Sequence, residues 1–349
     1  MRLFGLSLLC LLIACGDSFV PAWLVTDLRV VGARVEVDGQ PERARPEPGD
    51  DIQVSVLVID QGAKPSEEMG VPALTPELLQ WAFVACIPQA TLIGPPICGT
   101  IIEPCEGCDG QPPADPLAFP LIGFQVPDQA KLDAAEANNV LLQGVICAGG
   151  PPAEDSILRF ILGETDQINP CEDPDDEGRF VSVLIPIESS PEDPNLNPEV
   201  STVSLNGRSW PPPYNEGVPR TAPREGCAPD LEALSPEDRA AHPKAGDPPS
   251  SINLFVPPQS LQSYVLDDVT LTEELQVSWL TDGGDLERTF SFITDPANSV
   301  LTQWGPFTGV PEDGVLVRFT FVIRDGRGGT DWRERGLCIL PAQSAESPP

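Results

Sequence analysis

The chain has 349 residues, 53 of them acidic and 20 basic, which gives a net charge of −33 at neutral pH with a single histidine. That balance excludes nucleic acid as a partner, because phosphate contacts draw on clustered Lys and Arg, and it repels anionic lipid and polysaccharide surfaces. Proline fills 42 positions, more than twice its usual share, and since it cannot sit inside helices or central strands, much of the chain must be loop and edge.

At the N-terminus one cation, Arg2, precedes an apolar run that stops at small residues around Cys15. The run is too short to cross a bilayer as a mature helix, which predicts a cleaved signal over residues 1–14. Its end, Leu12-Ile13-Ala14-Cys15, resembles the lipobox of bacterial lipoproteins. That resemblance implies that Cys15 becomes the first mature residue and carries thioether-linked diacylglycerol and an N-acyl chain. Residues 15–23 then read as a lipidated tether.

The rest is long enough for two sandwich domains. The fold class expected is all-β: two immunoglobulin-like β-sandwiches in tandem, with long Pro-rich, disulfide-stapled loops. The first spans 24–188, with strands over 27–30, 33–37 and 52–58; in the last, Ile52, Val54, Val56 and Val58 share one face at period two. Thr75-Pro76-Glu77-Leu78-Leu79 reads either as one helical turn capped by Thr75 or as a direct run into the strand at Trp81. Strand patterns recur over 81–86, 121–126, 140–147, 157–162 and 179–185. Residues 87–116 read as loop, and 131–139 as a helix because Ala and Glu favour it.

A Pro-rich, semi-rigid linker covers 189–199. The second sandwich spans 200–342 with a Pro-rich insertion over 211–251, and 343–349 form a disordered tail. Val315, Val317, Phe319, Phe321 and Ile323 alternate inward, Asp325-Gly326-Arg327-Gly328-Gly329 makes a hairpin turn, and 332–340 closes the sheet.

Beyond the leader and Cys15, eight cysteines are disulfide candidates: Cys86, Cys98, Cys105, Cys108, Cys147, Cys171, Cys227 and Cys338. An even number in an exported chain favours bridges. Cys86 and Cys147 each end an apolar strand of what would be a neighbouring pair, which suggests a bridge between them. Cys98, Cys105 and Cys108 would staple their loop to itself or to Cys171. A thiolate zinc site on Cys98-x6-Cys105-x2-Cys108 lacks a second ligand pair at suitable spacing.

The lipobox, the Trp-bearing third strand and the ending Phe319-Thr320-Phe321-Val322-Ile323-Arg324-Asp325-Gly326 together resemble bacterial surface lipoproteins, of the myxobacterial type, with immunoglobulin-like, polycystic-kidney-disease-type or cadherin-like repeats. Asn195-Leu196-Asn197-Pro198 followed by Gly207-Arg208-Ser209-Trp210 is similar to a junction in such proteins. The resemblance carries no catalytic residue across.

Catalytic motifs are not found. His242 lies in the Pro-rich insertion, and there is no Gly-x-Ser-x-Gly turn, His-Glu-x-x-His helix or phosphate loop. Carboxylate pairs abound, but nothing in the sequence selects one pair for glycoside hydrolysis. Calcium is the cofactor that composition favours: Asp173, Asp175 and Asp176 form one acidic loop, Asp282 and Asp285 another, though neither has the spacing of a dedicated calcium loop. Trp81 and Trp279 read as core, whereas Trp210, Trp304 and Trp332 are candidates for a binding platform.

The resulting expectation is a lipid-anchored protein of the outer membrane or cell surface, or of the periplasmic face. It would act as a non-enzymatic adhesion, scaffold or binding module, meeting the membrane through acyl chains and an envelope protein or glycan through its loops. The alternatives are an envelope hydrolase with acidic catalytic residues and an accessory subunit of a secretion or motility complex.

Overall fold

The computed structural model describes residues 20–59, 79–91, 96–110, 120–162, 170–188, 193–210, 243–266, 268–312 and 314–342. The leader, Cys15, residues 75–78, Cys227, His242, nearly all of the Pro-rich insertion and the C-terminal tail lie outside them. The first sandwich holds β1 (Arg29–Val37), β2 (Asp51–Ile59), β3 (Leu79–Gln89), β4 (Ile97–Ile101), β5 (Cys105–Glu106), β6 (Asp109–Gly110), β7 (Leu121–Gln125), β8 (Asn139–Ala148) and β9 (Glu177–Pro186). Two short helices, α1 (Gln129–Ala134) and α2 (Ser156–Ile161), sit in its loops. One sheet has the order β1-β2-β7-β5 and the other β4-β3-β8-β9, with β6 beside β3.

The second sandwich holds β10 (Thr202–Leu205), β11 (Arg208–Ser209), β12 (Ser250–Phe255), β13 (Ser263–Leu266), β14 (Val269–Thr272), β15 (Leu275–Thr281), β16 (Asp285–Leu286), β17 (Phe290–Ile293), β18 (Ser299–Gly305), β19 (Val315–Arg324) and β20 (Thr330–Ile339). Its sheets run β11-β10-β12-β18-β16 and β17-β15-β19-β20, while β13 and β14 form a separate ribbon. In immunoglobulin lettering the first sandwich is A-B-E-D against C′-C-F-G, and the second repeats A-B-E against C′-C-F-G. Both are therefore immunoglobulin-like sandwiches by strand order.

Period-two patterning explains the cores. Ile52, Val54, Val56 and Val58 all enter the first core. Val317, Phe319, Phe321 and Ile323 are buried in the second, with Val315 packed at its margin. Trp81 and Trp279 are the third-strand tryptophans of the two cores; the indole N–H of Trp81 donates to the Gly107 carbonyl at 2.9 Å and that of Trp279 to the Ser291 hydroxyl at 3.0 Å.

Four local expectations need correcting. The run expected as a strand over 157–162 is instead the helix α2 with Leu162 as its C-cap: Ser156 and Phe160 share the buried face, Phe160 stacks on Phe180 at 4.7 Å, and a short apolar run fits either period. The 131–139 helix starts earlier and stops sooner, because Asp128 caps it by accepting from the Lys131 amide and Asn139 already belongs to β8. Within 87–116, β3 continues to Gln89 past a register shift between Ile87 and Pro88, where Gly99 of β4 is the extra residue, and β4, β5 and β6 follow. The segments 27–30 and 33–37 merge into β1, with a register shift between Val30 and Gly32.

The sandwiches pack outer face to outer face. Leu57 and Ile59 of β2 break the alternation because they bury with Val25, Leu280 and Val322, against Val31 and Trp332. Trp23, read above as the end of a free tether, is buried in the second core. The backbone beside it exchanges hydrogen bonds with Thr281, from Thr281 N to Trp23 O at 3.0 Å and from Val25 N to Thr281 O at 2.8 Å.

The Pro-rich linker is also a buried staple where it is described. The Asn195 carbonyl accepts from Ala44 N at 2.8 Å. Asn197 donates to Val35 O at 2.8 Å while accepting from Thr330 N at 3.1 Å, so one side chain joins both sandwiches.

Candidate functional site

The cysteines come first, because they shape the loops. Bridges join Cys86 to Cys98, Cys105 to Cys108 and Cys147 to Cys171, and Cys338 is also disulfide-bonded. A Cys86–Cys147 bridge is ruled out by antiparallel geometry. Cys147 pairs in register with Gln80 and Cys86 with Leu141, so two cysteines that each end a strand lie about 20 Å apart along the pair. Cys98 thus ties the C′ edge to strand C, and Cys171 ties the F–G loop to strand F.

The acidic loops do not assemble as cation cages. Among the described residues no group of three or more His, Cys, Asp or Glu side chains gathers to hold a metal. Asp173 accepts from the Asp175 amide at 2.9 Å. Asp176 lies over the Gly149-Gly150 turn, close to where a Cβ would stand, and desolvation, then the charges of Asp173 and Asp175, raise its carboxyl above the ordinary value. Asp282 is taken up by Arg318, whose backbone N and Nε donate to it at 2.8 and 2.9 Å. Asp285 is an exposed residue of β16.

The tryptophan platform is also corrected. Trp304 is fully buried, Trp210 is buried against Phe319 and Phe321, and Trp332 packs in the seam between the sandwiches. The exposed aromatic pair is Phe290 and Phe292, which alternate on the edge strand β17 with ring centroids 5.7 Å apart. Their alternation with buried Ser291 and Ile293 was visible in the sequence; the outward face of the aromatics was not, because aromatic residues on a strand default to core.

The B–C and F–G connections of the second sandwich form its most distinctive end. The β13–β14 ribbon rises from the B–C connection, and Val265, Leu266 and Val269 are 67%, 54% and 55% exposed near its tip. Its base is firmly held. The Arg327 guanidinium sits 4.3 Å over the Tyr264 ring and donates to Glu273 at 2.7 Å, while Glu273 accepts from the Gln262 amide at 3.2 Å.

The F–G turn beneath it is organised by Asp325. Its Oδ1 accepts from the amides of Arg327, Gly328 and Gly329 at 2.7–3.0 Å, and its Oδ2 from Asn195 Nδ2 at 2.7 Å. Gly326 and Gly328 supply φ values of +75° and +125° that side-chain-bearing residues rarely adopt. This turn is no free loop, since Arg45 of the first sandwich donates to the Arg327 carbonyl at 2.6 Å.

A shallow groove of about 550 Å³ on the first sandwich is lined by Glu36, Asp38, Asp51 and Glu106 over the Gly123 backbone, with no Lys or Arg in its walls. Arg34 pairs with Glu36 from beside it at 2.7 Å. Among described residues no helix is long and apolar enough to cross a membrane.

No known protein family matches the chain, and no curated protein matches it. Among solved structures, a marsupial T cell receptor is similar over 91% of this chain and 76% of that one, at 8% identity and a TM-score of 0.19. The immunoglobulin-like character of the sandwiches accordingly rests on their strand order.

Proposed function

We propose that the chain is a non-enzymatic binding module of the bacterial envelope, lipid-anchored through Cys15 at the outer membrane or cell surface, and that the β13–β14 ribbon meets an envelope protein or glycan. The observation that carries this reading is polarity. The N-terminal segment fastens to the second sandwich at Thr281, the C-terminal end of β15, whereas the ribbon leaves from the Leu275 end, about 20 Å away. An anchor at one end would leave the apolar ribbon facing outward at the other.

The non-enzymatic part is supported by the use made of the buried acids. Glu188 holds the Asn195 amide, Glu273 the Arg327 guanidinium, Asp282 holds Arg318, Asp325 the F–G turn, and Asp331 the Val200 amide with Arg34 and Arg333. Each is committed to structure.

Two measurements test the reading. Labelled palmitate is incorporated by the wild type and not by Cys15→Ser, which also leaves the membrane fraction; equal fractionation of the two overturns the anchor. A photo-crosslinker at Thr270 captures envelope protein or glycan on intact cells, and replacing Val265, Leu266 and Val269 by Ser lowers capture at least about tenfold, as expected for losing several buried apolar contacts. Equal capture from a crosslinker at Leu184, on the first sandwich, overturns the ribbon as the contact.

A further inference from the structure

Cys338 is disulfide-bonded, and its partner is not among the described cysteines. Cys86, Cys98, Cys105, Cys108, Cys147 and Cys171 close three bridges with one another. That leaves Cys10, Cys15 and Cys227, and one of these three holds Cys338.

Cys338 lies between the two roots of the Pro-rich insertion. Leu337 and Ile339 on either side of it point into the second core, so Cys338 faces outward from β20. It is nevertheless buried, as is its cross-strand partner Leu316. The outer face is covered there, and the described chain beside it is the returning end of the insertion. Lys244 bridges in parallel to Leu340, with Ala245 N donating to Leu340 O at 2.8 Å and Leu340 N to Pro243 O at 3.4 Å. The departing end is held by the same strand: the Trp210 indole donates to Gly336 O at 3.2 Å, and Trp210 O accepts from Arg335 Nε at 2.9 Å. The insertion thus leaves β20 at Gly336 and comes back at Leu340, just past the strand's end. Cys227 stands near the middle of the connecting chain, 17 positions after Trp210 and 16 before Pro243.

Parity narrows the choice further. Cleavage before Cys15 removes Cys10 and leaves nine cysteines, an odd number, so one of them stays outside the bridges. The thioether proposed above for Cys15 takes up that one, and this step rests on the lipid-anchor reading. Reach alone does not decide. Cys15 is eight positions before Trp23, about 26 Å of extended chain, and Trp23 fastens at Thr281, two strands from Arg335 through Phe319. A bridge to Cys15, however, would leave Cys227 as a free thiol and Cys15 without a sulfur for the lipid.

We propose that Cys227 and Cys338 form a fourth disulfide, a clasp that pins the middle of the Pro-rich insertion to the strand holding both its ends. In forming it the two thiols lose two protons and two electrons to a protein disulfide of the oxidising compartment, which becomes a dithiol. The clasp divides the insertion into two closed loops. Their roots lie at the end of the second sandwich that receives the N-terminal segment, since Thr281 pairs with Phe319 and Phe319 with Arg335, and the β13–β14 ribbon leaves from the other end.

Peptide mapping of the full chain, solubilised from membranes without reductant and alkylated before digestion, tests this. Trypsin cuts after Arg224, Arg239 and Arg335. The expected product is peptide 225–239 joined to peptide 336–349, which is lost on reduction in favour of the two separate peptides. Peptide 225–239 recovered already alkylated at Cys227 overturns the clasp. Peptide 336–349 joined to its copy from a second chain also overturns it, as does the same peptide joined to one that contains Cys10 or Cys15. A Cys15 product overturns the anchor as well, whereas an intact clasp in a chain that takes up no labelled palmitate overturns the anchor alone.

Discussion

Trp81 and Trp279 occupy the same third-strand place in the two sandwiches, yet what surrounds them differs. The first core is mainly aliphatic, with Val and Ile from β1, β2, β7, β8 and β9 packed about Trp81, Phe83 and Phe124. Three disulfides lie wholly within that unit. The second core is an aromatic cluster: Trp279 meets Phe321 edge-on at 5.3 Å, and Trp304 and Trp210 each meet Phe319 edge-on at 5.2 Å. One strand order is thus held in two ways, by crosslinks at the rim of a small-residue core and by interlocked rings at the centre of a large-residue one. Edge-to-face pairs add about 0.5–1.5 kcal/mol each beyond their burial, and they act alongside the disulfide-bonded Cys338 of β20.

The sharpest break of that comparison is Trp279→Ala. The side chain is fully buried and its loss removes the ring contact with Phe321 and the hydrogen bond to Ser291. A cost of about 3–5 kcal/mol is expected, read by circular dichroism in denaturant as a large shift of the second sandwich's transition. Next in size is the paired change Cys147→Ser with Cys171→Ser. These cysteines are 24 positions apart, and opening such a loop costs about 3 kcal/mol. The loss should fall on the first sandwich and leave the aromatic one in place. Equal shifts of both units in either experiment would mean that the outer-face packing of Leu57, Ile59, Leu280 and Val322 welds them into a single cooperative body.

The same contrast explains which parts of the molecule were legible in the sequence. Period-two runs in β2 and β19 declared their buried faces because one side of each strand meets an apolar core; β2 departs from the pattern only where Leu57 and Ile59 meet the other sandwich. Long-range geometry was the blind spot. Cys86 and Cys147 looked like partners because both end a strand, but in an antiparallel pair the two C-terminal ends point in opposite directions. The short apolar run in α2 carried no period long enough to choose helix over strand. Of the candidate site, the ribbon's Val265, Leu266 and Val269 were plain as apolar residues, but their exposure depends on the ribbon standing apart from both sheets. Glu273 and Asp325 are brought together by the fold alone, 52 positions apart in a chain with 53 acids to choose from.

Between the sandwiches, among the described residues, amides and ion pairs hold the seam around a small apolar patch. Asn197 is its most economical element. Its Nδ2 donates to Val35 O in the first sandwich and its Oδ1 accepts from Thr330 N in the second, so replacing it by Ala strands a carbonyl and an amide on facing surfaces. Each stranded group costs about 1 kcal/mol when water cannot fully replace the partner, and Asn197→Ala should cost about 1–2 kcal/mol in total. The expected signature is separation without unfolding. The midpoints of the two sandwiches stay close to those of the wild type, while the amide of Thr330 exchanges faster and scattering reports a larger radius of gyration. If instead the second sandwich itself lost stability by more than about 2 kcal/mol, Asn197 would belong to that unit's own fold, and the linker would be a strand of the sandwich and no bridge between two.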